Sequence, residues 1–424
     1  MTQQTLFPFS FEMAEEKLTS RSGLSLFAEF YKAIGLSKLT DKYLPRPLSN
    51  RGFLPSVYVN ALCLLLTAGG SCLDDIRELE EERDLFDVLG IKTVPDPTSI
   101  GDWLRRTGEK GLSGLALLMN DINKKIMEKD DITEYTLDID ATEIIAEKRD
   151  ALYTYKNNKG YMPMLGFIFE NNLCINDDFR EGNTSPRQDN LEFYLECKKS
   201  LPEGKVFKYF RADSASYQSK LINKLNEDGV KYAITAILDS SVKRAVESIT
   251  GWIKPEGKDY EIGEVVHSTD KADHAFRLVV KREYRKQPDM FEEGCFYHAV
   301  ATNIPEEEMN TLSVLEFHNK RGQAENFNKE VKLGFGLEQM PCGEFLANAV
   351  FFRIGIIAYN LFVGFKKLFT PDMFSQTIST FRWKLINIAG RITRHAGGIM
   401  LKISAAIEKL NRFLDIRQKI ISCA

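Results

Sequence analysis

Leu137-Asp138-Ile139-Asp140-Ala141-Thr142 and Val206-Phe207-Lys208-Tyr209-Phe210-Arg211-Ala212-Asp213-Ser214 are two apolar runs that each end in an acid. Both read as strands, the first within 136–145 and the second over 206–212. Between them lie strand patterns at 164–170 and 173–177, with Glu170-Asn171-Asn172 as the turn. A polar, glycine-containing loop covers 178–189, and a helix is expected over 190–201. Beyond the second run come a helix at 217–226 and a strand at 230–236.

The β-β-β-α-β-α-β order predicts an α/β fold, a ribonuclease-H-like mixed-sheet core. The chain before it reads as helices at 24–34, 56–66, 73–89, 98–106 and 112–129. Asp96-Pro97-Thr98 is a helix start and Gly69-Gly70 a break. Alternating segments at 260–267, 275–284 and 295–301 predict a β-rich insertion. One helix is expected over 306–334, its three leading glutamates suiting the positive end of the dipole. After Gly334 and Gly336 a second helical region runs to the end. The expected division is 1–131 (helical), 132–239 (core, first part), 240–304 (β-rich insertion), 305–365 (core, second part) and 366–424 (basic, helical).

Within 306–334, His318, Arg321, Glu325 and Lys332 are three, four and seven residues apart. On one helix this spacing sets them on a single face. A carboxylate flanked by cations suits a hard metal ion beside a phosphodiester. Asp140 and Asp213, on strands about 4.8 Å apart, with Glu325 on a packed helix, can form a two-metal site. Mg²⁺ is the expected ion, with Mn²⁺ as substitute; Asp140 is the candidate bridging ligand. Asp138 competes with Asp140, because two residues apart on a strand face the same side. Asp140 is preferred because it sits where the strand meets Ala141-Thr142. Arg321 would fork across phosphate oxygens and Lys332 act as a point charge. His318 either donates to phosphate or packs. Lys159, Arg180 and Arg187 are loop candidates for backbone contacts, and Trp252 for stacking on a base or for packing.

Composition narrows the partners. The net charge is −4, yet 351–424 holds 12 Lys and Arg against 3 Asp and Glu, leaving −13 on the first 350 residues. A basic tail on an acidic body suggests a polyanion held at one end. Seven scattered cysteines without a CxxC pair predict reduced thiols and no zinc site. The five histidines show no ligand spacing, and no phosphate-binding glycine motif is present. The opening residues are mixed and acidic rather than leader-like. The most apolar stretch, 347–365, would span about 28 Å as a helix, but Arg353 and Asn360 interrupt it. A buried core helix is expected rather than a membrane span.

On these motifs the chain resembles the DDE transposases of bacterial insertion sequences. The likeness is to the insertion-sequence-four superfamily and its thirteen-eighty branch. The hallmark Tyr-x2-Arg-x3-Glu-x6-Lys stands here as His318-x2-Arg321-x3-Glu325-x6-Lys332, departing at His318. The first-acid motif Asp-x-Thr is met by Asp140-Ala141-Thr142, and the second by Arg211-Ala212-Asp213-Ser214. Softer matches include Lys159-Gly160-Tyr161, Gly182-Asn183-Thr184-Ser185, Pro95-Asp96-Pro97-Thr98 and Ala358-Tyr359-Asn360-Leu361. The resemblance implies Mg²⁺-dependent cutting at terminal inverted repeats and joining of 3′ ends to target DNA. It also implies a synaptic homodimer on double-stranded DNA, in the bacterial cytoplasm at the nucleoid. The alternatives are a non-catalytic repeat-binding protein, decayed or repurposed, and a nuclease without strand joining.

Overall fold

The computed structural model describes residues 11–47, 49, 52–284, 294–395 and 398–423. Eight strands form one mixed sheet. In chain order they are β1 (Glu134–Ala141), β2 (Met164–Ile168), β3 (Cys174–Asp178), β4 (Val206–Ala212), β5 (Lys231–Thr235), β6 (Glu261–His267), β7 (Phe276–Tyr284) and β8 (Cys295–Thr302). Their spatial order is β6-β7-β8-β5-β4-β1-β2-β3. The first three form an antiparallel meander, whereas β4 runs parallel to β1 and β5 parallel to β4. The alternating segments of the insertion become β6, β7 and β8. They extend this same sheet, β8 pairing antiparallel with β5.

Helices cover both faces, which is why β1 is buried from Tyr135 through Ile139. On one face the Asn190–Lys199 helix lies against β2 at Gly166, where a Cβ would come within 2.8 Å of the Cys197 sulfur. On the other, Phe167 meets Phe327 at 5.3 Å between ring centroids. Asp138 and Asp140 lie opposite Phe167 and Leu165 in the β1–β2 register, so they share that second face.

The strand expected over 136–145 is interrupted. β1 ends at Ala141, and the chain leaves to build a small three-stranded sheet from Ile144–Ile145, Leu152–Tyr153 and Lys159–Tyr161. The Glu143 carboxylate holds that excursion closed by accepting from Thr154 and from Asn158.

The apolar stretch becomes the Phe345–Phe369 helix, the spine of the helical layer, with 89% of its most apolar window buried. The residues that interrupt its apolar run dock it. Asn360 donates to the Cys174 carbonyl (2.7 Å) and accepts from the Cys174 amide (2.9 Å), and Arg353 grips Asp177. Both partners lie on β3, so a buried amide and guanidinium are satisfied by an otherwise unpaired sheet edge. The Pro97–Met127 helix packs along this spine. It kinks at Gly108, whose φ of 53° and ψ of −155° no helix contains.

Two helical expectations give way. The 73–89 segment is three short pieces, Leu73–Asp75, Ile76–Glu80 and Arg83–Val88. The basic C-terminal region is not all helical: Gly390–His395 and Gly398–Ile403 form a hairpin, paired in turn with Leu18–Thr19. The β-branched residues there, Ile392, Thr393, Ile399 and Ile403, favour the extended form. Only then does the chain enter the Ile407–Cys423 helix, which packs on Leu24–Ala33.

Candidate active site

β1 and β4 run side by side in parallel, with Ile139 opposite Ala212. The next residue of each is an acid, so Asp140 and Asp213 leave neighbouring strands at the same end. One Asp213 oxygen accepts from the Ala215 amide (2.9 Å), capping the Ser214–Ser216 turn and fixing the carboxylate. Asp138 is sealed instead. Both its oxygens are taken by Arg211, at 2.7 Å each, and neither side chain is exposed. Burial pushes the Asp138 carboxyl up, to about 6, against the pull of Arg211.

The single helix expected over 306–334 is broken. Glu306 to Glu308 form a turn, and Glu308 pairs with Tyr209 and Lys231. The helix starts at Thr311, capped by Asn310, whose side chain accepts from Ser313 N (2.9 Å). It stops at Asn319, and a second helix covers Gly322–Lys329 before a wider turn at Glu330–Gly334. At the join the amides of Arg321, Gln323 and Ala324 bond three residues back, a tightened turn. Gly322, a poor helix former, sits in it. Arg211 holds the end of the first helix in place through the Phe317 carbonyl (2.9 Å), its guanidinium between the rings of Phe169 and Phe317.

The break separates the expected stripe. His318 turns inward and is 3% exposed. Its Nε2 shares a hydrogen bond with Thr235 Oγ1 (3.0 Å) and lies 3.4 Å from the Ala212 carbonyl. Burial, His298 and Arg321 lower it to about 3. It therefore packs, neutral, and offers nothing to a phosphate. Arg321 turns to the acids: Nη1 is 3.9 Å from Asp140 and Nη2 is 3.6 Å from Glu325. Glu325 itself is 66% exposed at its side chain, against 17% for Asp140. Lys332 Nζ donates to the Glu143 carbonyl (2.6 Å) from the rim of the same hollow.

Burial raises the Asp140 carboxyl to about 7, and Asp213 and Glu325 push it the same way, while Arg321 and Asn328 oppose them. Asn328 was not singled out from the sequence. Its Nδ2 donates to Asp140 Oδ2 at 2.7 Å, and its Oδ1 is buried without a partner. One neutral amide three residues past Glu325 carries no charge signal. Only the helical offset could have flagged it, since i+3 shares a face with Glu325.

Of the four other expected contacts, three fall away from the hollow. Trp252 is half-buried, donates to the Ile249 carbonyl (2.9 Å) and has Arg282 over its ring at 4.1 Å. It sits beside β6, with four strands between β6 and β1, and these contacts are those of a packed side chain. Lys159 lies half-buried in the small sheet, outside the hollow. Arg180 is buried, donating to the Met162 and Gln188 carbonyls. Arg187 is exposed on the loop beside the Asp213 turn, where its carbonyl accepts from Gln218 (2.7 Å).

Among the described residues no three acid, histidine or cysteine side chains are close enough to form a ready metal cage. Arg321 supplies the positive charge between Asp140 and Glu325. The donor set nevertheless fits a hard divalent cation: all are carboxylate oxygens, and burial, with the charges of Asp213 and Glu325 adding to it, raises the Asp140 carboxyl.

The family model described as transposase DDE domain group 1 matches residues 10–423. No curated protein matches the chain. Among solved structures it is similar to the cryo-EM structure of a piggyBac transposase synaptic complex with hairpin DNA. The identity is 12% over 96% of this chain and 80% of that one, at a TM-score of 0.43. With nearly its whole length matched by the family model, the chain belongs to the DDE transposases of domain group 1.

Proposed function

We propose that the protein is a cut-and-paste DNA transposase of the insertion-sequence-four type, built on a ribonuclease-H-like core. It cleaves at the terminal inverted repeats of its element and joins the 3′ ends to target DNA. The observation that carries this reading is the placement of Asp140 and Asp213 at one end of adjacent parallel strands, with Glu325 near enough to raise the Asp140 carboxyl. Asp140, Asp213 and Glu325 would hold two Mg²⁺ ions, or Mn²⁺, which would supply an activated oxygen nucleophile and relief of charge on the leaving oxygen. The chain's own side chains do the positioning. Asn328 orients Asp140 through Oδ2 and the Ala215 amide orients Asp213. The Arg321 fork, already spanning two carboxylates, is shaped for the oxygens of a phosphate. The N-terminal helices and the basic C-terminal region would hold the repeats and the second subunit, in a cytoplasmic, nucleoid-bound homodimer.

A plasmid carrying the element's two ends, incubated with Mg²⁺, tests this. The wild type should cut and rejoin. Asp140→Asn, Asp213→Asn and Glu325→Gln should each slow cleavage by roughly 10²- to 10³-fold while still binding the ends. Cutting that persists in a chelator, or at the parent rate in Asp213→Asn, overturns the reading. The rival, a protein that binds repeats without cutting, draws support from the exposure of Glu325 and its pairing with Arg321. Binding without any cleavage by the wild type would establish that rival.

A further inference from the structure

A spacing of seven would return Lys332 to the helix face that carries Glu325, but the α-helix does not last that far. From Glu330 the chain enters the wide turn, whose Phe335 amide bonds five residues back to the Glu330 carbonyl (3.0 Å). Lys332 sits at the middle of that turn, so the turn and not the helical spacing sets its direction. Its Nζ donates to the Glu143 carbonyl (2.6 Å), and the residue lines both the hollow of Asp140 and Glu325 and the one beside it. A carbonyl is a neutral acceptor, so this bond aims the ammonium without cancelling its charge.

A second wide turn braces the first. Arg382–Ile386 closes with the Asn387 amide on the Arg382 carbonyl (2.8 Å), again five residues back. The two are stitched together reciprocally. Glu330, the first residue of one, accepts from the Ile378 amide shortly before the other. Arg382, the first residue of the other, donates to the carbonyl of Gly334, the last residue of the first (2.8 Å). The Glu330 side chain folds back across its own turn to reach Ile378. A Cβ on Gly334 would come within 3.3 Å of the Glu330 carboxyl carbon and 2.8 Å of the Ile378 side chain. Burial raises the Glu330 carboxyl, with the Ile378 amide, Lys366 and Arg382 opposing. Lys366 is itself buried, donating to the Gln376 carbonyl (2.9 Å). Withdrawing an acid from water costs stability, and the hydrogen bond of this one goes to an amide that sets the shape of the turn.

We propose that Glu330 is a positioning residue: through the Ile378 amide it fixes the wide turn so that Lys332 presents its ammonium to a DNA phosphate at the Asp140 hollow. This rests on the DNA-cutting reading above, and the experiment separates the two.

Affinity of the full chain for a duplex of one element end is measured across a range of salt, with Ca²⁺ in place of Mg²⁺. Each phosphate contact contributes about 0.9 to the slope of log affinity against log salt. Lys332→Ala should flatten the slope by about 0.9, Glu330→Ala by a similar amount, and the double variant no further, since all three lose the same contact. Glu330→Gln, whose amide oxygen still accepts from Ile378, should keep the parent slope. Deleting a negative charge would by itself strengthen DNA binding, so weaker binding in Glu330→Ala carries the sign of lost position. Thermal melts establish that each protein is folded at the assay temperature. A Glu330→Ala protein that melts earlier yet keeps the parent slope assigns the residue to stability alone and overturns the inference. So does a Glu330→Gln protein that matches Glu330→Ala, a double variant whose losses add, or a Lys332→Ala protein with the parent slope. In each of these cases the transposase reading stands. A wild type that does not bind the element end at any salt overturns both.

Discussion

His318 stays neutral because burial and its basic neighbours outweigh the one carbonyl, that of Ala212, that would favour a proton. Its ring is buried, its Nδ1 has no partner, and His298 and Arg321 stand nearby. An unfolded histidine titrates near 6.5, whereas this one is held to about 3. Between those values the unfolded chain binds a proton that the folded chain refuses. Stability is therefore complete above pH ~6.5 and falls as the pH drops, by up to about 1.4 kcal/mol per unit. Urea unfolding at mildly acidic and neutral pH should show a smaller acid loss in His318→Gln than in the parent. Part of the slope will remain, because burial lowers His298 in the same direction. Equal slopes in both proteins would show that His318 is not the titrating group. The residue scale also shows what a sequence hides. The two strand-end acids are visible because charge at the end of an apolar run stands out. Asn328 is not, because the buried amide that fixes Asp140 differs from any other helical Asn only in what lies opposite it.

Elements are tied to one another by buried polar groups. Arg211 joins β4 to β1 through Asp138 and reaches the Phe317 carbonyl at the end of the Thr311–Asn319 helix. That carbonyl lies just before the tightened turn that aims Arg321. Asp138→Ala would leave the guanidinium buried and unpaired, costing roughly 3–5 kcal/mol. Replacing both partners, Asp138→Leu with Arg211→Met, should cost much less, because neither charge is then stranded. Unfolding free energies of the two singles and the double measure this; a double no better than Asp138→Ala would refute the coupling. The same tie explains why the helix break was not legible. The 306–334 pattern is compatible with a continuous helix, and only long-range contacts from β4 end the first piece. β4 itself was legible to the residue, since its seven-residue run is bounded by Gly204-Lys205 and by Asp213-Ser214. The 390–403 hairpin was not: its basic residues mask the alternation, and its third strand comes from the other end of the chain.

Across the whole molecule one guanidinium joins three distant segments. Arg382 donates to the carbonyls of Leu66 and Thr67 at the end of the Pro55–Ala68 helix, and to Gly334 at the end of the segment bearing Glu325. Burial pulls it down to about 10, with Glu330 opposing. Arg382→Ala would strand several buried acceptors and should cost on the order of 3 kcal/mol. Hydrogen exchange should quicken at 322–334 as well as at 55–68, and a change confined to one of the two would argue against a shared joint. Large-scale layout was the most readable level of the fold. The mixed α/β character follows from alternating patterns that water enforces along each strand, while the joining of β6, β7 and β8 to the core sheet and the pairing of 18–19 with 390–391 carry no local signature.

That meeting has a consequence for synthesis on the ribosome. Lys17 accepts a hydrogen bond from Ile392, and the Pro97–Met127 helix needs the 345–369 spine to cover its apolar side. At about 5–20 residues per second, the earliest-made strand waits roughly 20–75 s for its partner. Throughout that interval the apolar side of the nascent N-terminal helices stays uncovered, and it is sealed only once the 345–403 segment has been made.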